Sequence, residues 1–169
     1  GLAAARELAG SGARTLIVDR YEIGERQTSA CAAPTEWLEA MGVAASMRQT
    51  FDTLVVHIPG TTVRFRLPWT FSTFDYRERC GLLHEQCDAD FETAKVERRV
   101  RTGARVTNGS IAIETDRGVL SAPLVVDALG WKRVLAGSGY QPPAAPLSRG
   151  LEVHPFGAGD ELACAGTAV

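Results

Sequence analysis

The sequence predicts an α/β fold: a three-layer domain on a parallel sheet, with an antiparallel β-meander inserted before the last parallel strand. Three observations predict it. The chain opens with a helical segment, a glycine turn and a short apolar run that ends at Asp19. Two all-apolar runs, Leu16-Ile17-Val18 and Leu124-Val125-Val126, read as strands covered on both faces, as in a parallel sheet. Between them Asn108-Gly109 and Asp116-Arg117-Gly118 set tight turns within alternating sequence, which reads as a meander.

Taken in order, GLAAARELAGSGAR carries Leu2, Ala5, Leu8 and Ala9 on one helical face, and Ser11-Gly12 supplies its stop. TLIVDR follows as a buried strand. Residues 21–34 read as loop, and Pro34-Thr35 starts a helix that Gly42 ends. FDTLVVHI and TTVRFRL flank Pro59-Gly60, so residues 51–67 form a hairpin excursion outside the parallel sheet. RERCGLLHEQC is helical, with Cys80, Leu83 and Cys87 on one face as core groups. FETAKV returns as a strand, the meander follows, and LVVDALG is the last buried strand, closing at Gly130. Residues 137–150, rich in Gly and Pro, read as a crossing between domains, and GLEVHPF begins a new strand.

Composition narrows the function classes. With 45% hydrophobic and 22% charged residues, the chain can bury a core and is neither disordered nor collagen-like. A net charge of −2 and scattered arginines exclude a basic field for nucleic acid. No apolar run approaches the ~18 residues of a membrane span. Four cysteines in no scaffold-like spacing, and an amino terminus unlike a signal peptide, make the cytoplasm the expected compartment. No cysteine pair stands two residues apart, and His57, His84 and His154 are isolated from one another, so no metal site is expected.

The opening segment has a chemical reading. A phosphate-binding βαβ unit needs glycine where backbone nears a pyrophosphate, and an acidic residue at the end of its second strand for ribose hydroxyls. Gly1 followed by LAAAREL, with Asp19 eighteen residues on, fits the second half of that pattern. An ordinary helix and strand ending in Asp before a turn fits it equally.

GLAAARELAGSGARTLIVDR, FDYRERCGLLHEQC with FETAKV, and LVVDALG stand in an order that resembles FAD-dependent oxidoreductases of the glutathione-reductase type. The chain most resembles their geranylgeranyl reductase-like branch, which includes halogenases, and more distantly the aromatic hydroxylases. The resemblance covers nearly all of residues 1–155. It implies an FAD-binding Rossmann-type (three-layer) domain over residues 1–148, lacking its first strand, with residues 149–169 as the start of a second, α+β substrate domain.

The resemblance also implies roles. Gly1 would pack the first helix beneath the FAD pyrophosphate. Asp19 would take the adenosine ribose hydroxyls, with Arg20 flanking the adenine and Arg26 near the ADP moiety. Arg77 matches the basic position at the start of the helix that crosses the cofactor, although Tyr76 stands where the pattern often has Asp. Val96 matches the strand position whose backbone meets the adenine edge. Ala128 and Gly130 match the small residues of an Ala-Thr-Gly strand end, with Leu129 in place of Thr. Cys31-Ala32 stands where reductases of this branch carry Cys-Gly beside the flavin, although a buried, unreactive thiol is the ordinary reading of such a cysteine.

The function so implied is the FAD-binding portion of a flavin-dependent oxidoreductase, a geranylgeranyl reductase-like alkene reductase or a related monooxygenase. NAD(P)H is one candidate electron donor, and the implied substrate is an isoprenoid-like or other small molecule. Halogenation is the least favoured chemistry, because Trp37, Trp69 and Trp131 stand alone. The enzyme is expected to act at full length and the 169 residues alone to be inactive. Two alternatives stand beside this: a catalytically inactive remnant, and an NAD-binding Rossmann domain, which Asp19 would serve as well. Substrate, electron donor and oligomeric state are not legible in these residues.

Overall fold

The structure, a computed structural model, describes residues 1–27, 31–100, 109–130 and 134–136. The expected interdomain crossing, the strand at 150–156, Asn108 and the strand stretch before it lie outside the described residues. The chain divides into two compact units, residues 1–26 with 83–147 and residues 27–82 with 148–169. The described part of the second unit is thus inserted, in sequence, into the first.

In the first unit, α1 (Leu2–Glu7) leads into β1 (Thr15–Asp19), which pairs in parallel with β5 (Ala89–Thr93), Asp19 opposite Thr93. The helix ends one turn earlier than its apolar pattern predicts. Leu8 N–H and Ala9 N–H reach back only three residues, to Ala5 O and Arg6 O, and Gly10 then turns the chain at φ 74°. Of the predicted apolar face only Ala5 is buried; Leu8 and Ala9 are exposed. The strand Thr15–Asp19 is present but is not buried on both faces. With β5 as its one neighbour among the described residues, Leu16 stays 45% exposed.

FETAKV, expected as one strand, is divided between two sheets. Ala94 N–H donates to Asp19 O at 2.7 Å, the last bond of the parallel pair, and Lys95 N–H then turns to Asp116 Oδ1 at 2.8 Å. From there β6 (Val96–Arg99), β7 (Ile111–Thr115) and β8 (Gly118–Ala122) form a three-stranded antiparallel sheet in that order. Its core is Ala112, Ile113 and Thr115. The turn at Asp116-Arg117-Gly118 joins β7 to β8, with Gly118 at φ 131°.

The apolar run Leu124–Val126 corrects a second expectation: it forms no strand. Among the described residues no strand lies beside it to take its backbone hydrogen bonds, and Leu124 and Val126 are 70% and 59% exposed. Hydrophobicity alone does not make a strand without a neighbouring edge.

The second unit is built on the sheet order β2-β4-β3, from β2 (Ala32–Pro34), β3 (Met47–Ile58) and β4 (Thr61–Phe74). The hairpin turns at Pro59-Gly60, with Gly60 at φ 80°, and runs beyond the expected residues 51–67 because the end of β4 also pairs with β2. α2 (Thr35–Ala40) starts after Pro34 and ends at Gly42, as its sequence predicts, and fully buries Leu38. Val43, Ser46 and Ser72 are equally enclosed. Ser72 Oγ shares hydrogen bonds with Thr35 Oγ1 at 2.9 Å and Thr50 Oγ at 2.7 Å, so one buried hydroxyl ties α2 and β3 to β4. α3 (Tyr76–Glu85) begins after Asp75, whose Oδ1 accepts Glu78 N–H at 2.9 Å. Cys80 is buried in it.

Candidate functional site

In an open α/β sheet, ligands bind beyond the carboxyl ends of the parallel strands. Here that edge is the pair Asp19 and Thr93. Asp19 Oδ1 accepts the Tyr21 N–H at 3.0 Å, an Asx turn that carries the chain out of the strand. Oδ2 has no hydrogen-bond partner among the described residues. Thr93 Oγ1 donates to Glu22 Oε1 at 2.7 Å and pins the following loop to the end of β5.

Arg20 and Arg26 converge on that loop. Their guanidinium carbons lie 4.7 Å and 4.9 Å from the Tyr21 ring centroid. Two cations held against one ring, in the loop that follows the exposed Asp19 carboxylate, suit a ligand with both hydroxyls and phosphate. Tyr21 was not singled out from the sequence, yet it is what gathers the two arginines. Its signal was present in the order Asp-Arg-Tyr with a second arginine five residues on.

A second group surrounds a cavity of about 600 Å³ in the same unit, lined by Arg99, Asp127, Ala128, Gly130 and Leu135 among others. Gly130 sits at φ 86°, a backbone conformation that favours glycine. Asp127 organises the wall: Oδ1 accepts Leu129 N–H at 3.1 Å and Oδ2 accepts Leu135 N–H at 3.0 Å, holding the short 3-10 turn Val134–Ala136. Asp127 also escaped the sequence reading. It repeats the signal of Asp19, an Asp that ends an apolar run and accepts an N–H two residues on.

Gly1 lies beside this group, for a Cβ built there would stand 3.9 Å from Ala128 Cβ. That is ordinary contact, so no described neighbour demands glycine at position 1. The structure thus brings together Gly1, Ala128 and Gly130, and separately Asp19, Arg20 and Arg26. Among the described residues no hydrogen bond or ion pair joins the two groups.

Val96 opens β6 opposite Thr115, and the register slips between Val96 and Arg98. Cys87 is a packed thiol, its Sγ 3.1 Å from Leu83 O and 3.5 Å from Leu2 O. Burial pushes it up from its ordinary pKa, against a lowering by Arg6. In the second unit, Arg77 is exposed in the first turn of α3, and half-buried Cys31 accepts Phe74 N–H through its backbone carbonyl at 2.9 Å. Among the described residues no cluster of three His, Cys, Asp or Glu side chains is placed to hold a metal ion. No helix among them is long and apolar enough to cross a membrane.

No family model and no curated protein matches the chain. Solved structures do. A mutant of PqsL from P. aeruginosa matches at TM-score 0.58 and 18% identity, over 78% of this chain and 40% of that one. Halogenase PltM in complex with phloroglucinol and FAD matches at 0.54 and 14%, over 76% and 32%. Flavin-dependent brominase Bmp2 matches at 0.52 and 8%, over 72% and 32%. The chain therefore spans about a third to two-fifths of the structures it resembles. At these identities the likeness shows the fold, a mixed α/β fold of the FAD-binding type, and does not single out the geranylgeranyl reductase-like branch.

Proposed function

We propose that this chain is the FAD-binding portion of a flavin-dependent oxidoreductase. One observation carries the reading: in a fold shared with FAD-binding structures, Asp19 stands at the carboxyl end of β1 with one carboxylate oxygen unpartnered among the described residues, and two arginines gather on Tyr21 in the loop that follows. The ADP half of FAD fits that donor set. Asp19 takes the ribose hydroxyls, Arg20 and Arg26 face adenine and phosphate, and the Val96 backbone meets the adenine edge. Gly1, Ala128 and Gly130 let backbone pass close to the cofactor. When bound, the flavin supplies hydride or electron transfer, and the protein supplies position and the pocket.

The domain division follows the same reading, with residues 1–148 as the FAD domain and 149–169 as the start of a substrate domain. Two chemistries fit. Motif order and Cys31-Ala32 favour reduction of an alkene on an isoprenoid-like substrate. The likeness to a halogenase and a brominase favours oxygen activation at the flavin instead, with NAD(P)H as electron donor in either case.

Calorimetric titration with FAD and with NAD tests the reading. FAD binds and NAD does not, and Asp19→Ala weakens FAD by about tenfold or more, since each hydrogen bond to a charged group contributes ~1.5–3 kcal/mol. Asp19→Asn is milder because it keeps an acceptor. NAD binding in place of FAD establishes the plain Rossmann alternative, and binding of neither establishes the remnant. FAD affinity unchanged in Asp19→Ala removes Asp19 from the site.

A further inference from the structure

Trp37 and Trp69 are 65% and 53% exposed, and both line one cavity of about 600 Å³ within the unit of residues 27–82. Large aromatic surface left in water next to a concave site marks a place that another molecule covers. The remaining walls include Pro34, Thr70 and Phe71, with one charged group, Glu36. Its carboxylate makes no ion pair among the described residues.

The cavity is held open by its surroundings. Pro34 pairs with Phe71 across β2 and β4, and Phe71 stacks on Phe51 with ring centroids 6.2 Å apart. Leu38, fully buried one residue beyond Trp37, anchors α2, and Ser72, two residues before Phe74 and next to Phe71, is locked by Thr35 and Thr50. The two indoles are therefore mounted on fixed elements rather than on a loop.

We propose that this cavity binds an arylalkylamine in its protonated form, the aromatic ring against the indoles and the ammonium on Glu36. Indole faces accept a flat ring by stacking and attract a cation through their quadrupole. The carboxylate adds a charge-assisted hydrogen bond to the ammonium. Glu36 is exposed and its pull on an ammonium is partly screened; an anionic ligand meets that carboxylate with no lining cation to offset it, and a plain hydrocarbon gains nothing from it. Ala32 and Ala33 also line the cavity and follow directly on Cys31, so this site adjoins the flavin reading and is tested on the flavin-free chain, where its failure and that of the FAD titration are told apart.

The test is calorimetry on the flavin-free chain with three probes that share a ring and differ in charge: phenethylamine, ethylbenzene and phenylacetate. Phenethylamine binds about two- to fivefold tighter than ethylbenzene, as one exposed ion pair allows, and phenylacetate does not bind. Glu36→Gln removes the difference between phenethylamine and ethylbenzene. Trp37→Ala and Trp69→Ala each weaken phenethylamine by about fivefold or more, whereas Trp37→Phe retains most of the affinity. Both indoles are exposed, so these variants keep the wild-type melting temperature; if an alanine variant melts early, Trp37→Phe and Glu36→Gln carry the test. No saturable binding of phenethylamine overturns the proposal. So does equal affinity for all three probes, tighter binding of phenylacetate, or wild-type affinity in both alanine variants.

Discussion

In residues 27–82 the fully enclosed Leu38, Val43, Ser46 and Ser72 contrast with a hairpin that leaves Leu54, Ile58 and Phe65 in solvent, whereas the other unit leaves Leu16, Leu124 and Val126 exposed and buries Leu83 and Ile113 alongside alanines such as Ala5, Ala94 and Ala112. The difference follows from connectivity. The β3–β4 hairpin and α2 find their partners within a few tens of residues, and a single buried serine cross-links three elements. The parallel pair β1–β5 needs strands 70 or more residues apart in the chain, and its one-sided pairing leaves apolar residues without a second layer. A partner edge alone does not build a core: Leu54 and Phe65 face each other across β3 and β4 and are still exposed, whereas Leu38 and Ser72 are enclosed where α2 covers the sheet.

The sharpest way to break this comparison is to cut into the enclosed unit. Leu38→Ala removes a fully buried side chain from the face of α2 that seats it on β4. The lost transfer energy plus the residual cavity cost about 2–5 kcal/mol, read from urea unfolding followed by far-UV circular dichroism. A loss under ~1 kcal/mol would mean that this unit has no tight core.

Ser72→Ala comes next. It leaves the hydroxyls of Thr35 and Thr50 short of a shared partner in a buried position, at a cost of about 1–3 kcal/mol by the same assay. Ser72→Cys, similar in size but a poor hydrogen-bonding substitute, is expected to fall between alanine and wild type. Recovery to wild type in the alanine variant would show that the two threonines pair elsewhere.

Legibility in the sequence follows the same divide. The hairpin at Pro59-Gly60, the helix from Thr35 to Gly42 and the turn at Asp116-Arg117-Gly118 were readable because local turn chemistry specifies them. The strand at Leu124–Val126 was misread, because its apolar run has the look of a buried strand and no sequence rule supplies a neighbour. FETAKV was misread for a related reason: the handover at Ala94-Lys95 depends on acceptors from Asp19 and Asp116, which lie far off in the chain. At the candidate site, Asp19 was legible from its position at the end of a strand. Tyr21 and Asp127 were not, because what they do is gather or tether other residues, and that appears only once backbone is placed.

A smaller effect is expected at the start of α3. Asp75 lies in the pattern Asp-Tyr-Arg-Glu, and its carboxylate caps the helix by accepting Glu78 N–H. That hydrogen bond holds the Asp75 carboxyl below its ordinary value of 3.8; partial desolvation opposes it, and the ion pair with Arg48 assists. A lowered folded pKa means that the unfolded chain binds the proton more readily. The contribution is therefore complete above the ordinary value and disappears as pH falls through the lower folded one. Asp75→Ala is expected to cost about 1 kcal/mol at neutral pH. The gap between variant and wild type closes on acidification below the ordinary carboxylate range. A gap that stays constant down to low pH would assign the loss to packing instead of capping.

The smallest effect belongs to the exposed run. Leu124 and Val126 project into solvent with no described strand beside them, so removing their apolar surface takes nothing out of a core. Leu124→Ser and Val126→Ser, alone or together, are expected to change unfolding stability by no more than about 0.5 kcal/mol, as surface substitutions away from caps and cores do. The matched control is Ile113→Ser in β7 of the same unit, where a buried side chain is replaced by a hydroxyl without a built partner and several kcal/mol are expected to go. Urea midpoints for the three variants decide the matter at constant m-value. If Val126→Ser costs as much as Ile113→Ser, the run at 124–126 is buried in solution and the contrast between the two units is one of degree. If it costs nothing, the apolar pattern that reads as a strand in the sequence contributes no folding energy to this unit.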